Sequence, residues 1–221
     1  MQRSTKLLAA LVLFPAAYYL YRVENPKEPL RPTDLRDGLG PVQHRFYAAE
    51  VIQATKTPEE IVAQTLQRLP EFAPSGLAWF RGLDHPVPPV REGDRLKITM
   101  MGLRRARVVV EDVTPLSFTI RTLRLHPDSG TVRFRAVPYE PGHYQLEVES
   151  AVRSSTHLDR AAHLAGVHAA QRANWETVLN QAAELSGGII AGHTHRSQEY
   201  PYDPAETARE VVEDGPGPQP A

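Results

Sequence analysis

From Asp94 to Val152 the chain keeps a two-residue hydrophobic period with only short interruptions, and no other feature narrows the fold as much. Arg95–Met101 and Arg104–Val113 read as neighbouring strands around Gly102. Ser117–Leu125 alternates Phe118 and Ile120 with Thr119 and Arg121, and Thr131–Val137 alternates Val132, Phe134 and Ala136 with Arg133 and Arg135. His143–Val152 sets Tyr144, Leu146 and Val148 on one face and Gln145, Glu147 and Glu149 on the other. The interruptions, at Pro115, Pro127-Asp128-Ser129-Gly130 and Pro141-Gly142, carry turn chemistry. Gaps this short predict an antiparallel meander. Centring the last turn on Pro141 predicts Arg135 opposite Glu147, Arg133 opposite Glu149, Phe134 opposite Val148 and Ala136 opposite Leu146. Charge pairs then occupy one face and apolar pairs the other. The arginines read as a solvated outer face rather than an anion site.

Helices flank this sheet. His44–Ala54 reads as a strand, and Thr57-Pro58-Glu59-Glu60 supplies an N-cap, a first-turn proline and a capping-box glutamate. Ile61, Val62, Thr65, Leu66 and Leu69 follow at helical spacing until Pro70. Pro70–Pro89 reads as irregular, with Trp79 and Phe80 as packing residues. Thr156 and Asp159 open a second helical region and Gly187-Gly188 closes it, with Gly166 dividing a short helix from a long one. Ala161, Ala165, His168, Arg172, Trp175, Leu179, Ala182 and Leu185 lie near one stripe. Such a helix needs an apolar surface, and the inner face of the sheet supplies it.

Of the 20 prolines in 221 residues, half lie outside 43–188, in about a third of the chain. Arg3 and Lys6 precede an apolar run, Leu7–Tyr21, closed by Arg22. As a helix it spans roughly 22 Å against a hydrocarbon core of roughly 30 Å. Snorkelling Arg3, Lys6 and Arg22 and interfacial Tyr18, Tyr19 and Tyr21 cover the difference. A cleaved signal has the same layout, but no A-x-A-like site follows, so a single-pass anchor fits better. Basic residues on both sides leave the orientation open. The expected organisation is an anchor or signal at 1–22, a Pro-rich linker at 23–42, a folded domain at 43–188 and an acidic, mostly disordered tail at 189–221.

Lys and Arg total 25 against 26 Asp and Glu, for a net charge of −1, which lacks the footprint of a nucleic-acid binder. Without cysteine there is no disulfide framework, thiolate metal site or cysteine nucleophile. His163 and His168 fall about 140° apart on a helix, and His193 and His195 lack a carboxylate framework, so no metal is expected. No phosphate loop, G-x-S-x-G elbow or H-E-x-x-H motif occurs, and no cofactor is expected. His126 reads as a surface-turn histidine, and Asp159, Glu176 and Glu184 as solvent-facing acids.

The order strand, helix, loop, further strands and long C-terminal helix resembles the helix-grip fold of the START-like superfamily. That group includes polyketide cyclases, pollen-allergen-type proteins and lipid-transfer domains. His44–Leu69, opened by TPEE, and Arg95–Gly188 carry the resemblance. LRLHPDSGTVRFRA (Leu123–Ala136) and AAQRANWETVLNQAAELSGG (Ala169–Gly188) look like a bacterial branch. The resemblance implies an α+β fold in which a curved antiparallel sheet wraps a long helix and leaves a cavity between them. Met100, Phe118, Ile120, Phe134, Tyr144, Leu146 and Trp175 would border that cavity, although each alone is ordinary core filling. The implied function is a membrane-tethered module binding an apolar or amphipathic small molecule or a lipid. Two other readings stay open. One is a cyclase- or hydrolase-type enzyme using Tyr144, His168 or Arg172. The other is an interaction protein presenting a sheet edge or its acidic tail.

Overall fold

In the computed structural model the Pro141 hairpin has the expected pairing: Arg135 faces Glu147, Arg133 faces Glu149, Phe134 faces Val148 and Ala136 faces Leu146. The model describes residues 30–72, 78–100, 104–164 and 168–205. The apolar run Leu7–Tyr21 lies outside these, and none of the described helices is long and apolar enough to cross a membrane. The chain divides into two units, Met1–Arg31 and Pro32–Ala221, and all elements below belong to the second.

Strands β1 (Leu39–Ile52), β2 (Ala78–Gly82), β3 (Arg95–Met100), β4 (Arg104–Thr114), β5 (Ser117–Thr122), β6 (Asp128–Glu140), β7 (His143–Ser154) and β8 (Ile189–Tyr200) form one sheet. Their order is β2-β3-β4-β5-β6-β7-β1-β8, with every pairing antiparallel. Register shifts in the β1–β7, β1–β8, β4–β5 and β6–β7 pairs bend the strands, and the sheet is curved.

Helix α1 (Pro58–Gln67) begins as its sequence dictates. The Thr57 hydroxyl accepts from Glu60 N–H, the Glu60 carboxylate accepts from Thr57 N–H, and Pro58 opens the first turn. It buries Ile61, Val62, Thr65 and Leu66, and the short α2 (Leu69–Phe72) adds Leu69 and Phe72. After β7, Thr156 caps α3 (His157–Ala162), and α4 (His168–Leu185) follows. Val178, Leu179, Ala182 and Ala183 of α4 pack into the core that covers the inner face of the sheet. On the outer face Arg135 pairs with Glu147, and His44 and His143 bond Glu149 (2.8 Å) and Glu50 (2.9 Å).

Several expectations are corrected. Residues 189–200 form β8 rather than part of a disordered tail, pairing with β1 from Val42–Tyr200 to Ile52–Ile189. His193–Glu199 are exposed along this edge, so the segment needs no apolar alternation and shows none. The Pro-rich linker folds from Pro32 onward. Pro32 bridges to Leu123, Asp34 caps a 3₁₀ turn at Leu35–Asp37, and Val42 is buried. The stretch read as irregular contains β2, whose Trp79 is half exposed instead of packed.

Candidate functional site

The inner row of β1, read from Val51 to Gln43, is Val51, Ala49, Tyr47, Arg45, Gln43, and it changes from apolar to polar midway. Its neighbours change in step. On β7, Tyr144, Leu146 and Val148 give way to Ser150, Val152 and Ser154. On β8, Ile190 gives way to His195, Ser197 and Glu199, which face Tyr47, Arg45 and Gln43. The sheet therefore has an apolar half under the C-terminal part of α4 and a polar half toward α3.

All seven residues expected around a cavity belong to the apolar half. Phe118, Ile120, Phe134, Tyr144 and Leu146 are buried in the main core, and Met100 and Trp175 pack against it. Phe118 and Phe134 stack at 5.2 Å. The polar half borders a cavity of about 400 Å³ lined by Arg45 and Tyr47 of β1, His195, Ser197 and Glu199 of β8, Arg172 of α4, and His163 after α3. A wider surface depression of about 550 Å³ is lined by Gly40, Pro41, Arg153, Glu199, Tyr200, Pro201 and Tyr202. Its one arginine is engaged structurally: Arg153 donates to Gly40 O and Leu35 O (both 2.8 Å) and lies 4.0 Å from the Tyr202 ring.

The 400 Å³ cavity is tightly organised. The Tyr47 ring stacks on His195 at 4.9 Å. Arg160 grips Glu199 with two bonds of 2.9 and 3.0 Å, which holds that carboxyl below its usual range. Arg45 Nη2 donates to Gln43 Oε1 (2.7 Å) and to His163 Nε2 (3.0 Å). A guanidinium only donates, so His163 Nε2 is the acceptor in this contact. Burial and then the nearby Arg172 push His195 below its normal value. The His195 ring therefore favours the neutral form. Of the enzyme candidates, Arg172 lines this cavity and pairs with Glu176 at 2.6 Å. Tyr144 is buried in the apolar core, where burial raises its hydroxyl above the usual value and the nearby Ser186 side chain lowers it. The side chain of His168 lies outside the described residues. Among the described residues no group of three or more His, Asp or Glu is arranged to hold a metal ion.

Beside the cavity lies a second polar group that sequence reading placed on the surface. Asp159 is buried and pairs with Arg104, while Gln171 Nε2 donates to Asp128 Oδ2 at 3.2 Å. His126 Nδ1 accepts from Asp128 N–H at 2.9 Å. Burial raises Asp128 to about 6 and lowers His126 to about 4. Their effects on stability oppose. Folded Asp128 holds its proton above the ordinary 3.8, so its contribution falls as pH rises from about 4 to about 6. Folded His126 refuses a proton below the ordinary 6.5, so its contribution rises over much the same window. Relative to the parent, Asp128→Asn is expected to gain stability by up to about 3 kcal/mol between pH 4 and 6, and His126→Gln to lose as much. Urea unfolding at stepped pH checks both; equal slopes in the two variants would contradict this electrostatic arrangement.

The signal for the polar half was present in the sequence. Gln43 and Arg45 occupy positions where the two-residue period of β1 calls for apolar side chains, and Ser150 and Ser154 do the same on β7. The curved antiparallel sheet packed against a long helix is the α+β arrangement that the sequence resemblance implied, and it is compatible with a helix-grip fold.

No family model matches the chain, and no curated protein matches it. Among solved structures it is similar to the Zhui aromatase/cyclase from Streptomyces sp. R1128, at 16% identity and TM-score 0.49, covering 67% of this chain and 99% of that one. It is also similar to the di-domain aromatase/cyclase StfQ from the steffimycin biosynthetic pathway, at 14% identity and TM-score 0.47, covering 69% of this chain and 52% of that one. The chain thus spans about half the length of StfQ. A third similarity is to norcoclaurine synthase from Thalictrum flavum in complex with dopamine and hydroxybenzaldehyde, at 10% identity and TM-score 0.46, covering 72% and 98%. The α+β description rests on strand order and register, independently of these likenesses.

Proposed function

We propose that the chain is a START-like module that binds one small amphipathic molecule between sheet and helix, tethered to a membrane through Leu7–Tyr21. The observation that carries this reading is the cavity bordered by Arg45, Tyr47, Arg172 and His195 at the junction of the polar and apolar halves. The molecule's polar end would occupy the cavity. Its apolar body would have to part the helix from the inner face, because the cross-strand row from Tyr47 through Val148 to Phe134 and Phe118 is packed in the core. Met100, Ile120, Tyr144, Leu146 and Trp175 would complete the apolar surface on either side. Apolar contact contributes about 25 cal/mol per Å² removed from water, before ordering costs. The tether would keep the cavity close to membrane-soluble ligands and raise their effective concentration.

Native mass spectrometry and solvent extraction of the purified full-length chain test the binding claim. A retained or exchangeable amphipath is the expected result. Ser197→Trp should fill the cavity from an exposed strand, leaving the fold intact while weakening ligand retention at least about tenfold. An unliganded parent that also takes up no amphipath in exchange would refute the reading. Deleting residues 1–22 tests the tether separately, by release of the protein from the membrane fraction.

A further inference from the structure

We infer that the cavity is built for a ligand with a singly charged anionic head group, a carboxylate ahead of a phosphate, and that Arg45 is its counter-ion. This rests on the ligand-binding reading above. Arg45 is 5% exposed. A buried guanidinium without a carboxylate is costly, by several kcal/mol once relaxation is allowed. Yet its hydrogen-bond partners are Gln43 and His163, and among the described residues no acid forms an ion pair with it. Both bonds leave from Nη2, so Nε and Nη1 are unengaged.

Every acid near the cavity already holds another group. Glu199 is gripped by Arg160, Glu176 by Arg172, and Asp159 by Arg104 and the Thr156 hydroxyl. Asp128 and Glu199 both feel the charge of Arg45, but Asp128 is bonded to Gln171 and Glu199 to Arg160, and neither forms an ion pair with Arg45. A second, independent observation points the same way. Gln43 is 1% exposed, and with its oxygen taken by Arg45, its Nε2 has no partner. Spare donors on both Arg45 and Gln43 leave this corner short of acceptors. A carboxylate offers acceptors only, in a geometry a guanidinium fork matches. Glu199 on the same wall opposes a second negative charge, which places a dianionic phosphate behind a carboxylate.

Titration calorimetry of the full-length chain with decanoate, decyl phosphate, decan-1-ol and decyltrimethylammonium tests this with one tail and four heads. Decanoate is expected to bind at least about 30-fold tighter than decan-1-ol, with the ammonium weakest. Arg45→Gln should remove that preference, weakening decanoate about 30-fold while leaving decan-1-ol within about threefold. Equal binding of decanoate and decan-1-ol by the parent would overturn the anion site and leave the module reading standing. Tighter decyl phosphate would overturn the single-charge assignment. Failure of all four would remove both readings. If Arg45→Gln does not fold, the head-group ranking of the parent decides alone.

Discussion

A chain ended after Gly188 is expected to be an unstable, self-associating protein that binds nothing. Strand β8 pairs with β1 from Val42 to Ile52, and its loss removes a ladder of hydrogen bonds each worth about 0.5–1.5 kcal/mol net, on the order of 5 kcal/mol in all. Tyr47 would lose the His195 ring, and Phe46 the Arg196 guanidinium 4.8 Å above it. The cavity would lose His195, Ser197 and Glu199, and Arg160 its partner. Strand β1, buried on both faces at Phe46–Ala49, would become a long apolar edge open to pairing with other chains. Size-exclusion chromatography and thermal unfolding of the truncated and full-length proteins check this. A monomer with the parent's midpoint would show that β8 is dispensable.

Gly130→Ala should cost at least about 4 kcal/mol, which puts it among the rare severe single substitutions. Gly130 sits at φ +145, and an added Cβ would lie 2.1 Å from Ala151 O and 3.0 Å from Val152 Cα. Both are backbone atoms of the paired strand and cannot rotate away, so β6 and β7 would have to part. Its N–H also donates to the Thr122 hydroxyl at 2.9 Å, and that hydroxyl lies 2.7 Å from the Thr33 hydroxyl. The damage would therefore reach the segment that leads into β1. Gly93→Ala is the matched control: φ is +84, but nothing lies within 4 Å of the new Cβ. It should cost only the left-handed strain of about 1–2 kcal/mol. Urea unfolding of both variants measures the difference, and similar losses would mean that backbone strain alone sets the cost at Gly130.

What the sequence disclosed follows from where each signal is stored. The Pro141 hairpin was legible to the residue because charge pairing and apolar pairing demand the same register. The start of α1 was legible because capping is local. Strand β8 was not, because its place is set by the open edge of β1, a distant partner, and its own residues carry no periodic mark. The candidate site was half legible. Apolar alternation selected Phe118, Phe134 and Leu146, whereas the cavity borders Arg45 and Arg172, whose polarity only becomes informative once their strand and helix are known to face inward. Burial of Asp159 and the shift at Asp128 depend on contacts between β6, α3 and α4 that no local pattern encodes.

One wall of the cavity is also the border of the sheet. A border strand is bonded along a single side, so β8 has less free energy to overcome in detaching than a strand held on two sides. Its amides should exchange with solvent fastest of the eight strands except β2, the other border. A guest could then enter or leave by brief fraying of that margin, while the helix stays seated and the hairpin opposite keeps its register. Turnover of bound molecules would follow the breathing rate of one strand, not the unfolding rate of the domain.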